Sequence, residues 1–257
     1  MKRLLPLLLL FAAPAAVAAP FSGDASRYQA CLALIKDDPT RAIANAQAWR
    51  IENGGAPAQH CLALAQFAHG DYAESLKNFE AAATKSETSE DGLAAAAWNQ
   101  GADAALLARQ PETAVRFLTR AIEGSAGTLS PRAEATMRVT RAEAYVDLKD
   151  YPRAAADLDK AVTLWPEVPW GWLLKATLAR RMGDLKTAEA AILEAGKRDP
   201  DAADVQLEAG NIAMAQGNKA LAQAAWTAAA NGDPLSEAGK AADAALKASF
   251  ADAPAPK

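Results

Sequence analysis

No excess of positive charge, no second long apolar run and no low-complexity segment occur in this 257-residue chain. Its 27 Lys and Arg against 31 Asp and Glu leave a net charge of −4. That balance offers no electrostatic footprint for nucleic acid and no polybasic patch for anionic lipid. With 15 Gly and 14 Pro the chain is neither collagen-like nor a low-complexity tract. It also lacks a Gly-rich phosphate loop, a GxSxG elbow and an HExxH pair. Nothing selects a converging acid–base group, so the reading is a non-enzyme without a cofactor. What the chain has in abundance is alanine, 68 residues of the 257. Alanine loses no side-chain rotamer freedom in a helix and is the best intrinsic helix former. An all-α protein is expected; an all-β fold and a disordered chain are excluded.

The one long apolar run stands at the start. Lys2 and Arg3 precede an uncharged stretch from Leu4 to Val17, and Ala16-Val17-Ala18 follows as a small-x-small cleavage site. Together these describe a secretory signal peptide over residues 1–19, cleaved near Ala18 or Ala19. A membrane span needs ~20 apolar residues, and this run is shorter and holds Pro6 and Pro14. No cysteine follows it, so a bacterial lipid anchor is not indicated. The expected product is exported, periplasmic or secreted, without membrane insertion once the signal is removed. Loss of Lys2 and Arg3 takes its charge from −4 to −6.

One short pattern recurs through the rest: Gly70-Asp71-Tyr72, Lys149-Asp150-Tyr151, Gly183-Asp184-Leu185 and Gly217-Asn218-Lys219. Ser75, Ala154, Ala188 and Ala222 lie four residues beyond the Asp or Asn. Asp38-Pro39 and Gln110-Pro111 are variants, with Ala42 and Ala114 at the same offset. The six anchors Asp38, Asp71, Gln110, Asp150, Asp184 and Asn218 are 33, 39, 40, 34 and 34 residues apart. That is a period of 34 with two short insertions. Asp and Asn cap free N–H groups at a helix start, and proline suits the first helical position. Each anchor therefore opens the second helix of a pair. Eight residues before the anchors stand Ala30, Ala63, Ala102, Ala142, Ala176 and Gly210. Eleven after them stand Trp49, Ala82, Ala121, Ala161, Ala195 and Ala229. Small residues at fixed places on both helices allow close backbone approach, with Phe79, Leu118, Leu158, Ile192 and Trp226 as the larger packing groups.

Trp98…Gly101-Ala102, Ala142-Glu143-Ala144-Tyr145 and the Asp-Tyr-x-x-Ala segment at Asp150 resemble the tetratricopeptide repeat family. The resemblance implies a right-handed superhelical α-solenoid of helix–turn–helix units over residues 20–236. About six units are expected, at 23–56, 56–89, 95–128, 135–168, 169–202 and 203–236. The first is degenerate, with Trp49 in place of a small residue and Ala46 in place of a large one. A helix over 237–250 is expected to cover the last apolar face, and 251–257 to form a loose tail.

Cys31 and Cys61 are the only thiols and fall in first helices of adjacent units. In an oxidising compartment an even pair reads as a disulfide, with buried free thiols as the alternative. His60, Cys61 and His69 match no common zinc spacing, so no metal is expected, and a surface or packing role is assigned to the histidines.

The resemblance also implies that first helices line a concave groove. Positions 11, 7, 4 and 3 residues before the anchors then face it. They are Asn99, Asp103, Leu106 and Leu107; Val139, Glu143, Val146 and Asp147; Leu173, Thr177, Arg180 and Arg181; and Leu207, Asn211, Met214 and Ala215. Trp170 stands at the groove-facing start of the fifth unit as a candidate anchor, or else packs with Trp165 and Trp172 around Pro166 and Pro169. The Lys/Asn/Arg carboxylate clamp of some family members is not reproduced. A mixed apolar and amide lining suits an extended or helical segment. The expected function is an exported, non-catalytic scaffold binding a protein or peptide in the groove. The alternative is an assembly protein that associates through the solenoid ends.

Overall fold

The computed structural model describes residues 24–125, 127–167 and 169–250. The expected signal peptide and the 251–257 tail lie outside the described residues. Thirteen helices and no strand occur among them: α1 (Asp24–Asp37), α2 (Pro39–Ile51), α3 (Gly55–His69), α4 (Tyr72–Ser89), α5 (Ala94–Leu107), α6 (Pro111–Gly124), α7 (Pro131–Asp147), α8 (Tyr151–Leu164), α9 (Pro169–Arg181), α10 (Leu185–Arg198), α11 (Ala203–Ala215), α12 (Lys219–Gly232) and α13 (Glu237–Phe250).

The recurring Gly-Asp dipeptide is a turn with a defined job for each residue. Gly70, Gly183 and Gly217 hold φ of 96°, 81° and 80°, the left-handed conformation that closes a helix. The next residue folds back: Asp71 N–H donates to Gln66 C=O, Asp184 to Ala179 and Asn218 to Ala213. Arg109 and Lys149 take the same turn at φ 60° without glycine, at a cost of roughly 1–2 kcal/mol each. The anchor then starts the second helix. The side chains of Asp38, Asp150, Asp184 and Asn218 accept the N–H of the residue three further on, at 3.0–3.2 Å. Asp71 and Gln110 hold the same position without a side-chain cap. The two insertions also have places. One lies around the lengthened α4, at 18 residues the longest of the described helices, and the other falls between α6 and α7 and in the 17-residue α7.

Packing rests on the small residues. Ala42, Ser75, Ala114, Ala154, Ala188 and Ala222 are wholly buried, each on the inner face of a second helix. Ser75 keeps the small volume and satisfies its hydroxyl by donating to Ala63 C=O at 2.9 Å. Facing them, Ala63, Ala102, Ala142, Ala176 and Gly210 are buried on first helices. Ala30 departs from this column and is exposed. On α1 the inward residues are instead Tyr28, Cys31 and Ile35, because Cys31 is tied to Cys61 by a disulfide with Cα atoms 6.3 Å apart. Cross-linking residues 30 apart in sequence contributes roughly 3–4 kcal/mol in the chain-entropy account. The exchanged Trp49 and Ala46 are both buried. The indole is accommodated by Gly54, where an added Cβ would lie 2.3 Å from Trp49 Nε1.

Each helix packs on its neighbours in sequence, and first helices also meet directly: α1 with α3, α5 with α7, α9 with α11, and α11 with α13. No second helix meets the next second helix to that extent. An array whose first helices lie closer together than its second helices curves with the first helices inside. At the C-terminal end α13 lies on α11 and α12, burying Ala242 and setting Phe250 edge-on to Trp226.

Gly210 shows how tight the pair contact is, since a Cβ there would lie 2.3 Å from Trp226 Cδ1. Gly210→Ala is expected to lower stability by about 1–3 kcal/mol through overpacking, measured by urea unfolding. Trp226→Leu in the same chain should recover part of that loss.

Candidate functional site

The inward faces of α5, α7, α9 and α11 hold a mixture that a core would not. Leu106, Val146, Leu173, Leu207 and Met214 are half-buried, their inner atoms packed on the core and the rest facing out. Leu107 and Arg181 are exposed, as are Asp147 and Ala215, and Thr177 is half-buried.

Val139 does not belong to this surface. It is 1% exposed and packs with Ala135, Ala142 and Leu158. The longer α7 puts residues 135, 139 and 142 on one stripe, at the i, i+4, i+7 spacing of a core face, and that stripe faces α8.

Arg180 and Asn211 serve a network that sequence counting missed. Glu208 of α11 is 5% exposed. It accepts from Arg180 Nε and Nη2 at 2.6 and 3.1 Å and from Asn211 Nδ2 at 3.1 Å. Asn211 Oδ1 in turn accepts from Trp226 Nε1 at 3.1 Å. A buried carboxylate with three donors is compensated, and the network ties α9, α11 and α12 together. Asp157 of α8 is handled alike, 4% exposed between Arg138 and Arg141, the latter bidentate at 2.7 Å.

Asp103 receives no such treatment. It makes no hydrogen bond and no ion pair, and the charge it feels is that of Glu143 on α7. Burial, reinforced by Glu143, pushes its carboxyl up to about 7 from an ordinary 3.8. One turn before it on α5, Asn99 Oδ1 is buried and accepts no hydrogen bond from the protein. Such an acceptor costs about 1–3 kcal/mol. The side chain of Asp103 is crowded by protein yet keeps accessible area.

Trp165 and Trp172 pack at the junction of α8 and α9. Trp172 Nε1 donates to Pro166 C=O at 2.7 Å and Arg132 lies 4.6 Å from the Trp165 ring. Trp170, edge-on to Trp165, remains 37% exposed.

His60 is a packing residue, 2% exposed. Gln100 Oε1 can only accept, so His60 Nε2–H donates to it at 2.5 Å and Nδ1 accepts from the Tyr28 hydroxyl at 2.6 Å. Burial brings its pKa down to about 4 from 6.5 and pushes the Tyr28 phenol up, which keeps both neutral. His69 is exposed beside Asp71 at 2.9 Å. Among the described residues no group of three or more His, Cys, Asp or Glu is placed to hold a metal ion. No helix among them is long and apolar enough to cross a membrane. A separate cleft of about 350 Å³ lies between α10, α11 and α12, with exposed Leu193 and Leu221 on its rim.

No family model matches the chain. Over 81 residues it is 35% identical to a protein named SGT1 homolog from Oryza sativa subsp. japonica, and it spans about a fifth of that relative's length. Solved structures resemble it over far more of the chain. PilW, described as a widely conserved type IV pilus biogenesis factor, superposes with a TM-score of 0.68 at 17% identity, covering 85% of this chain and 97% of PilW. Pseudomonas aeruginosa PilF gives 0.67 at 16% identity over 86% and 97%. YrrB, described as a TPR protein with an unusual peptide-binding site, gives 0.58 at 17% identity over 77% and 96%.

The Asp103 and His60 shifts act in opposite directions. His60, depressed, contributes stability that is present above pH 6.5 and lost as pH falls through about 4. Asp103, raised, contributes stability that is present below 3.8 and lost as pH rises through about 7. Asp103→Asn is therefore expected to match the wild type near pH 4 and to exceed it near pH 8 by roughly 2–4 kcal/mol. Urea unfolding at the two pH values measures the difference, in which the His60 contribution cancels.

Proposed function

We propose, for a chain with the fold of tetratricopeptide-repeat proteins, that it is an exported, non-catalytic scaffold holding a protein or peptide segment in its concave groove. The observation that carries this reading is the lining of the first helices. Half-buried Leu106, Val146, Leu173 and Met214 alternate there with polar Asn99, Asp103, Glu143 and Thr177. Apolar pockets interrupted by fixed polar groups are what an extended or helical segment needs for affinity and register. Trp170 at the edge adds an aromatic anchor, and exposed Arg181 a cation at the end of α9.

Export is supported by the Cys31–Cys61 disulfide, which belongs to an oxidising compartment, and by the signal-like first 19 residues. The structural likeness to PilF and PilW is compatible with work in a cell envelope, and the peptide-binding description of YrrB with a groove ligand. Association through the ends has less to recommend it at the C-terminal side, where α13 already occupies the last apolar face.

A photo-crosslinking amino acid placed at Leu107 or Trp170, and separately at the outward-facing Leu193, tests this in the native envelope. Adducts identified by mass spectrometry are expected from the first two positions, and Trp170→Ala with Arg181→Glu should abolish them. Adducts from Leu193 alone would sink the groove reading.

A further inference from the structure

α1 is thinly embedded. Among its described side chains only Cys31 is buried; Tyr28, Leu32, Leu34 and Ile35 are half-buried, and the rest, Ala30 included, are exposed. A 14-residue helix is marginal in water by itself, and so little buried area offsets only part of the entropy of ordering it. Two ties join it to α3. The Cys31–Cys61 disulfide is one. Three residues earlier, the Tyr28 hydroxyl donates to His60 Nδ1 at 2.6 Å, and its ring stacks on the imidazole with centroids 5.9 Å apart. The Arg27–Glu52 pair is open to solvent, and such pairs hold little. His60, the residue under Tyr28, stands eleven residues before Asp71, the offset that gives half-buried Asn99, Leu173 and Leu207 in later units. At 2% exposed it is instead enclosed, against Tyr28 of α1, Phe79 of α4 and Gln100 of α5. Of these neighbours, only α1 is held by a covalent bond that simple chemistry can open.

We propose that α1 is a redox-latched cover: reduction of Cys31–Cys61 releases it from α3 and uncovers His60, which adds an imidazole to the N-terminal end of the groove lining. The last clause rests on the groove reading above; the release does not. The step is thiol–disulfide exchange with a dithiol reductant. Cys31 is 8% exposed and Cys61 1%, so the attacking thiolate bonds to Cys31 Sγ and the Cys61 sulfur leaves, taking up a proton. The second thiolate of the reductant then displaces Cys31, which is protonated in turn, and closes the reductant's own disulfide. Two electrons pass to the protein, and two thiols remain on it. α1 is left with the Tyr28–His60 bond and a half-buried stripe, and without the cross-link that restricted its unfolded conformations. α2 keeps its own packing on α3 and its buried Ala42 and Ala46, so the opening ends at the Asp38-Pro39 turn.

The test follows the chain, oxidised and after dithiothreitol, by hydrogen-exchange mass spectrometry and by diethyl pyrocarbonate, which acylates accessible imidazoles. His60 and His69 are the only histidines, and exposed His69 serves as the internal standard, reacting in both states. Reduction should raise α1 amide exchange and His60 acylation by roughly a hundredfold, with α7 to α13 unchanged. Cys31→Ser with Cys61→Ser should show the open state without reductant, and dithiothreitol should then change nothing. Iodoacetamide on a quenched aliquot counts the thiols. Two free thiols with α1 still protected and His60 still silent would overturn the latch. Loss of protection through α7 to α13 would overturn it too, since the disulfide would then brace the whole array. Neither readout needs a bound partner, so the groove reading stands or falls separately, on the crosslinks from Leu107 and Trp170.

Discussion

The contact on which the rest of the structure depends is the approach of two helix backbones across a column of residues with almost no side chain. Ala42, Ser75, Ala114, Ala154, Ala188 and Ala222 have no accessible surface at all. Against them lie buried Ala63, Ala102, Ala142, Ala176 and Gly210. At such separations the stabilising terms are many small dispersion contacts in an interior of crystal-like density, and one added methyl group is felt. Because every pair is built alike, stability adds from neighbour to neighbour along the array.

Polar groups inside the array divide into two kinds. Asp157, Glu208 and His60 are buried and fully answered, each joining separate helices: Arg141 to Asp157, Arg180 to Glu208, and His60 between Tyr28 and Gln100. They behave as structural ties. Asp103 is enclosed without a hydrogen bond or ion pair and Asn99 Oδ1 without a donor, so the fold carries their cost without a structural return. Residues that lower stability and serve no internal contact mark the places where function, not folding, decides identity.

Much of this architecture is legible in the sequence because its signals are local. A left-handed Gly followed by Asp or Asn names the turn and the next helix start, since each residue acts through its own backbone or the three residues after it. The small-residue columns are legible because they recur at a fixed offset. What the sequence hides is pairwise and long-range. Glu208 is an acid like any other until Arg180, 28 residues earlier, is brought against it. Val139 sits at a groove-like offset, yet the longer α7 turns it into the core. Ala30 keeps the column's spacing while the disulfide of Cys31 sets which face of α1 is inward. The candidate groove positions can be counted from the anchors, but the surroundings of Asp103 are a property of the assembled surface.

The most direct measurement of the central claim is native-state hydrogen exchange on Ala154→Val, which adds two methyl groups at a fully buried point between α7 and α8. If the small column sets the spacing of the pair, protection falls in both α7 and α8. The loss then spreads to α9, whose Leu178 shares their core, and leaves α1 to α4 unchanged. Unchanged protection in α7 and α8, or a loss confined to the turn around Ala154, would contradict the account.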